Sequence, residues 1–186
     1  MSTGAGCWLA AALLLSACSD HGAWVPSAAD APAQASRRAA AAAARDQLAS
    51  QLLGELTAAL ADGGPAKAIA VCRERAPALA AQVGSERHLR IGRTSQRLRN
   101  PANRAPAWAT AAIASAAAEP TFFTGPDQQL GALYAIRLLP QCVQCHGRTE
   151  DLSAEVRSAL RRHYPDDAAT GFAVGDLRGW FWVEVP

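Results

Sequence analysis

Leu48, Leu52, Leu53, Leu56 and Leu60 follow one another at helical steps within a run of good helix formers from Ser36 to Ala61, and Asp46, Gln47, Ser50, Gln51 and Glu55 fall off that stripe. The spacing predicts one long amphipathic helix. Asp62-Gly63-Gly64-Pro65 then interrupts it, with glycines suited to a C-terminal cap and a proline suited to the first turn of the next helix. A second stripe follows through Ile69, Cys72, Ala76, Leu79 and Val83, and Pro77 is expected to kink that helix.

The rhythm changes after Gly84. His88 to Arg99 shows short alternations that predict a strand or two, closed by the turn-forming Asn100-Pro101-Ala102-Asn103. An alanine-rich helix is expected from Pro106 to about Ala118, and Leu130 to Leu139 reads as a strand feeding directly into Pro140-Gln141-Cys142. A short helix near Ser153 to His163 precedes a last segment in which Gly171, Gly175 and Gly179 punctuate Phe172, Trp180, Phe181, Trp182, Val183 and Val185, a pattern that favours a hairpin. Helices first, strands later and no βαβ rhythm give an α+β fold with a small antiparallel sheet and long N-terminal helices.

The N-terminal end carries a different signal. Trp8 to Ala17 is an apolar run of ten residues. A bilayer span needs about 20, so the run suits the hydrophobic region of a signal peptide. Leu15-Ser16-Ala17-Cys18 resembles the lipobox of bacterial lipoproteins, which implies cleavage before Cys18 and acylation of that cysteine. Met1 to Cys7 departs from the usual pattern in having no lysine or arginine. The expected organisation is a lipoprotein signal peptide over 1–17, a flexible linker over 18–35 rich in Ala, Pro, Ser and Gly, and one domain over 36–186. The chain would then sit lipid-anchored at the periplasmic face of a bacterial membrane.

A length of 186 residues allows one domain with a core. Lys67 is the only lysine among 18 basic residues, the net charge is +2, and the arginines are spread along the chain. No concentrated field points to nucleic acid, and that partner class is excluded.

Cys142-Val143-Gln144-Cys145-His146 is the chemically informative segment. Two thiols three positions apart can add to the two vinyl groups of one porphyrin, while the adjacent imidazole reaches the iron from the same side. A zinc site would want a second cysteine pair, and a thioredoxin-like dithiol would want a βαβ setting; neither is present. One covalent haem c on Cys142 and Cys145, ligated by His146, is the expectation. Cys7 would leave with the signal peptide and Cys18 would take lipid, so Cys72 remains unpaired. Met1 is the only methionine, and with its removal methionine ligation of the iron is excluded. Three options stand for the sixth position: Cys72, a histidine among His21, His88 and His163, or an open site. Cys72 could equally be a small core residue. Arg93, Arg97 and Arg99 could face haem propionates, but are read as ordinary surface arginines.

An ordered set of further motifs resembles a bacterial family of haem c proteins long known only as a domain of unknown function. The set comprises Val71-Cys72, Ala76-Pro77, Ile91-Gly92-Arg93-Thr94-Ser95, Leu98 through Asn103 and Trp108. It continues with Cys142 to Gly147, Tyr164-Pro165, Asp167-Ala168, Gly171-Phe172, Gly175 through Gly179 and Val183. The resemblance implies a PAS-like domain around haem c with unusual Cys/His axial ligation, carried here by Cys72 and His146. Trp180-Phe181-Trp182 departs from the smaller residues usual in the family's last strand. Two functions follow: a redox or small-ligand sensor, or a low-potential electron-transfer cytochrome. Either needs a separate redox or signalling protein partner. An enzyme would need an acid–base pair over the iron, and nothing beyond His88 with Arg87 or Arg90 offers one, so no enzymatic activity is expected.

Overall fold

The computed structural model describes residues 23–186. The apolar run before Cys18, Cys18 itself and His21 lie outside the described residues. Among those described, no helix is long and apolar enough to cross a membrane.

α1 (Ala35–Arg87) is two helical arms joined at Gly63 and Gly64, whose dihedrals leave the helical region (φ −159° and 69°). Only glycine adopts the positive φ of Gly64 without strain, and that is why the break falls there. Glu55 accepts from Arg75, and Gln47 meets both Glu86 and Arg87, so the arms run antiparallel. Among the described residues the helical dihedrals continue through Pro77, so the kink expected there is located instead at the two glycines.

Five antiparallel strands follow the order β1-β3-β4-β5-β2. They are β1 (Val25–Ser27), β2 (Arg90–Thr94), β3 (Thr121–Thr124), β4 (Leu130–Arg137) and β5 (Leu177–Val185). The α+β expectation therefore holds. One face of the sheet packs on the first turns of α1 and the end of its second arm, with Leu48, Val83, Leu130, Ala132 and Val183 fully buried. The other face packs under α2 (Thr110–Ala114) around Trp180, Leu133 and Ile113. A further small cluster holds α4 (Ala154–His163) against Ile69 of α1, and Ser153 caps α4 by accepting from the Val156 amide.

Three elements differ from the sequence expectations. The last segment is one nine-residue strand, β5, paired on both sides, rather than a hairpin. Gly171 and Gly175 have positive φ and lie in the loop before it, while Gly179 lies inside the strand, where any Cβ would collide with the Thr94 carbonyl. Residues 25–27, within the stretch read as linker, add an edge strand to β3, and Gln34 in the following turn is buried and bonded to the Gln128 carbonyl. The helix expected over 106–118 shortens to a 3-10 turn and α2, because Ala116 turns into the left-handed region.

Candidate functional site

Of the first leucine stripe, Leu48 is buried in the core and Leu52 packs against its edge, while the stripe beyond turns to a cavity. Leu52, Leu53, Leu56 and Leu60 form one wall of this cavity of about 370 Å³, with Ile136 to Leu139 at the end of β4 and Phe181 on β5 opposite. A β-bulge between Ile136 and Arg137 bends β4 as it leaves the sheet. Pro140–Cys142 then form a 3-10 turn that runs directly into α3 (Val143–His146). The 3-10 turn and the short α3 together bring Cys142, Cys145 and His146 to the cavity wall. Cys72 reaches the same cavity from the second arm of α1.

The four sequence-predicted site residues Cys72, Cys142, Cys145 and His146 thus line one space, and all three cysteines are free thiols. They surround that space without converging on a point. Among the described residues, no three His, Cys, Asp or Glu side chains stand close enough together to hold a bare metal ion. His88 is exposed and lies against a separate cavity, and His163 contacts Arg73, so neither faces this one.

His146 is held in one orientation. Its Nδ1 lies 2.7 Å from the Ala169 carbonyl and 3.2 Å from Nε of Arg178. One nitrogen cannot both donate to the first and accept from the second, and the shorter contact goes with an Nδ1–H donating to Ala169. That tautomer leaves Nε2 as a lone pair, the arrangement metal-bound histidines use. Phe172 stands edge-on to the imidazole at 6.4 Å, and its own ring is covered by the guanidiniums of Arg97 and Arg178. Burial, then the charges of Arg99 and Arg178, hold the imidazole well below its ordinary pKa of 6.5, so it is neutral at neutral pH.

Ala169 is in turn fixed by an ion pair. Arg99 and Asp167 meet at 3.1 Å with side chains only 12% and 9% exposed. Asp167 accepts from the Ala169 amide, and Arg99 donates to the carbonyls of Ala169 and Cys145. The pair staples the loop before β5 onto the Cys-X-X-Cys-His turn, and the amides of Gly171 and Phe172 complete the seam by donating to Gly147 and His146. Arg99 and Arg97, read from sequence as surface residues, therefore have internal partners; Arg97 donates to Ala168 and Thr170.

Arg93 differs. It projects from β2 into the cavity, and among the described residues its guanidinium forms no ion pair or hydrogen bond. Burial pushes its pKa down, and burial also pushes that of Arg178 down, in that case to about 10. Burial also raises the Cys145 thiol to about 11, and it raises the Cys72 thiol against the opposing pull of Arg93 and Arg99. Sequence reasoning did not single out Arg178 or the Ala169 carbonyl. A backbone acceptor has no side-chain signature, and Arg178 was visible only as one letter of the glycine-flanked motif from Gly175 to Gly179.

A family model described as Tll0287-like (Tll0287) matches residues 27–186, and the chain belongs to that family. The resemblance read from the ordered motifs holds. The solved structure of the cyanobacterial heme-protein Tll0287 superposes with a TM-score of 0.60 over 84% of this chain and 96% of that one, at 22% identity, which supports the shared fold. No curated protein matches the chain.

Proposed function

We propose that this member of the Tll0287-like family binds one covalent haem c on Cys142 and Cys145, with His146 and Cys72 as axial ligands, and serves as a redox or small-ligand sensor. The observation that carries the reading is that those four side chains line one leucine-walled cavity, with Nδ1 of His146 held at the Ala169 carbonyl, which leaves Nε2 for a metal. Cys142 and Cys145 would supply the two thioether sulfurs, and Cys72, on the second arm of α1, would supply a thiolate to the iron. The apolar wall offers hydrophobic contact to the faces of a porphyrin. The haem itself would supply an iron that cycles between ferric and ferrous states.

Cys72 separates the two functional readings. A thiolate favours ferric iron and lowers the potential. Of the two ligands, Cys72 would be the one able to leave on reduction, since His146 is tied to Ala169 and fixed next to Cys145 in the chain. Departure of Cys72 would open a position for a small ligand and make the protein a switch. A Cys72 that stays bound in both oxidation states favours low-potential electron transfer instead. In either case a separate redox or signalling protein must receive the electron or the signal. The lipobox-like Leu15 to Cys18 supports attachment to the periplasmic face of a bacterial membrane.

Resonance Raman and paramagnetic resonance spectra of both oxidation states test the reading. The expected result is low-spin thiolate ligation in the ferric form, lost in the ferrous form with uptake of carbon monoxide. Cys72→Ala should abolish the ferric thiolate spectrum and raise the potential; unchanged spectra in that variant refute ligation by Cys72.

A further inference from the structure

The cavity is lined by arginines and by no carboxylate. Arg93, Arg99 and Arg178 reach it from the sheet side, and Arg137 stands exposed at its mouth, donating to the Gly175 carbonyl. Arg99 is neutralised by Asp167. Arg178 spends one Nη on the Arg97 carbonyl and lays its Nε beside His146, but meets no anion. Arg93 has neither an ion pair nor a hydrogen bond among the described residues. Two half-buried guanidiniums therefore face the cavity with no ion-pair partner among the described residues, an arrangement that is unfavourable unless an occupant pairs with them.

Burial here serves no visible packing purpose. Arg93 lies on the same face of β2 as Ile91, opposite Phe181, where an aliphatic residue would extend the core. A guanidinium at that position makes sense if the cavity's occupant brings negative charge. The deficit is two charges, and a porphyrin carries two carboxylates.

We infer that Arg93 and Arg178 are the seats of the two haem propionates, each holding one carboxylate ionised through charge-assisted hydrogen bonds. This rests on the haem reading above. Arg97 and Arg99 are not assigned the role, because Arg97 does not line the cavity and Arg99 is already paired with Asp167 and donates to the Cys145 and Ala169 carbonyls.

The consequence is a reduction potential that the arginines hold up and keep independent of pH. Reduction adds an electron from an external reductant to the iron. A propionate left without its guanidinium repels that electron until it takes a proton from solvent. Arg93→Gln and Arg178→Gln should each lower the equilibrium constant for reduction at least tenfold at pH 8, about 59 mV for a one-electron couple. The loss should recover as the pH falls and the freed propionate protonates, with a carboxylic C=O band appearing in redox infrared difference spectra. Arg161→Gln, on the exposed side of α4, removes the same charge far from the cavity and should leave the constant within twofold.

Haem content, measured first by alkaline pyridine assay, separates the two layers of the argument. A wild-type chain without haem sinks the haem reading. Haem-loaded variants whose potential and pH profile track the wild type sink only the propionate assignment, as does an equal fall in Arg161→Gln. If the variants do not accumulate, the wild type decides: its spectra should show no protonated haem carboxyl between pH 5 and 9, and such a band overturns the assignment.

Discussion

Asp167→Asn isolates the ion pair that positions the haem-binding turn. The substitution keeps an Oδ1 able to accept from the Ala169 amide, now at 2.8 Å, and changes almost no volume. It removes the charge facing Arg99, and it places an NH₂ group where a carboxylate oxygen had received the guanidinium. Breaking a buried pair by neutralising one partner costs about 3–5 kcal/mol, because the other charge is left desolvated and unpaired. About a tenth of each side chain is exposed here, which places the expected loss near the lower end, about 3 kcal/mol. That is a large share of the ~5–15 kcal/mol that holds a domain folded. For a chain of this size it amounts to a fall in Tm of roughly 6–12 °C. Urea unfolding followed by far-UV circular dichroism reads the loss directly, with an unchanged slope showing that the unfolded state is not the cause. Because Arg99 also donates to Cys145 and Ala169, the variant should loosen the His146 seat as well. A loss under 0.5 kcal/mol would show that Arg99 finds water or another acceptor, and the staple would then not be what fixes the turn.

Two further outcomes follow, one from the His146 site and one from the Leu15 to Cys18 sequence. In haem-free protein (Cys142→Ala with Cys145→Ala), folded His146 resists protonation while the unfolded chain takes a proton near pH 6.5. Stability should therefore be undiminished by this group above about pH 6.5 and fall below it by up to ~1.4 kcal/mol per pH unit. Adding His146→Gln should remove that one proton's slope, and equal slopes between pH 6.5 and 5 would contradict it. Cys18→Ser should convert a membrane-partitioning protein into a soluble or unprocessed form, and mass spectrometry of an unlipidated mature wild-type terminus would count against the anchor.

The chemistry was legible where it rests on residue identity and short spacing. Cys142 to His146 announces itself in five letters, and Cys72 stands out once the other cysteines and Met1 are assigned. The Gly63-Gly64 break was legible because positive φ has a compositional signature. The leucine stripe from Leu48 to Leu60 was legible as a helix face but not as a cavity wall, since periodicity is the same whichever a face meets. β3 escaped notice because Thr121–Thr124 is too short to show a period. β1 was hidden because its pairing with β3 is made by backbone groups in a Pro-containing stretch that reads as a linker. The hairpin expectation failed at Gly179, whose role is close approach to Thr94 and not a turn. Arg99 and Arg93 look alike in sequence, and only the placement of Asp167 distinguishes a stapled arginine from an uncompensated one.

The central claim is covalent haem on this cavity's two neighbouring cysteines. The most direct test is the intact mass of the mature protein, expressed with haem-attachment machinery and resolved by denaturing electrophoresis with haem staining. One haem should be retained through denaturation and acid-acetone extraction, and it should be lost completely from the Cys142→Ala, Cys145→Ala variant. A wild-type chain that gives up its haem under those conditions, or that carries zinc and no haem absorbance, contradicts it.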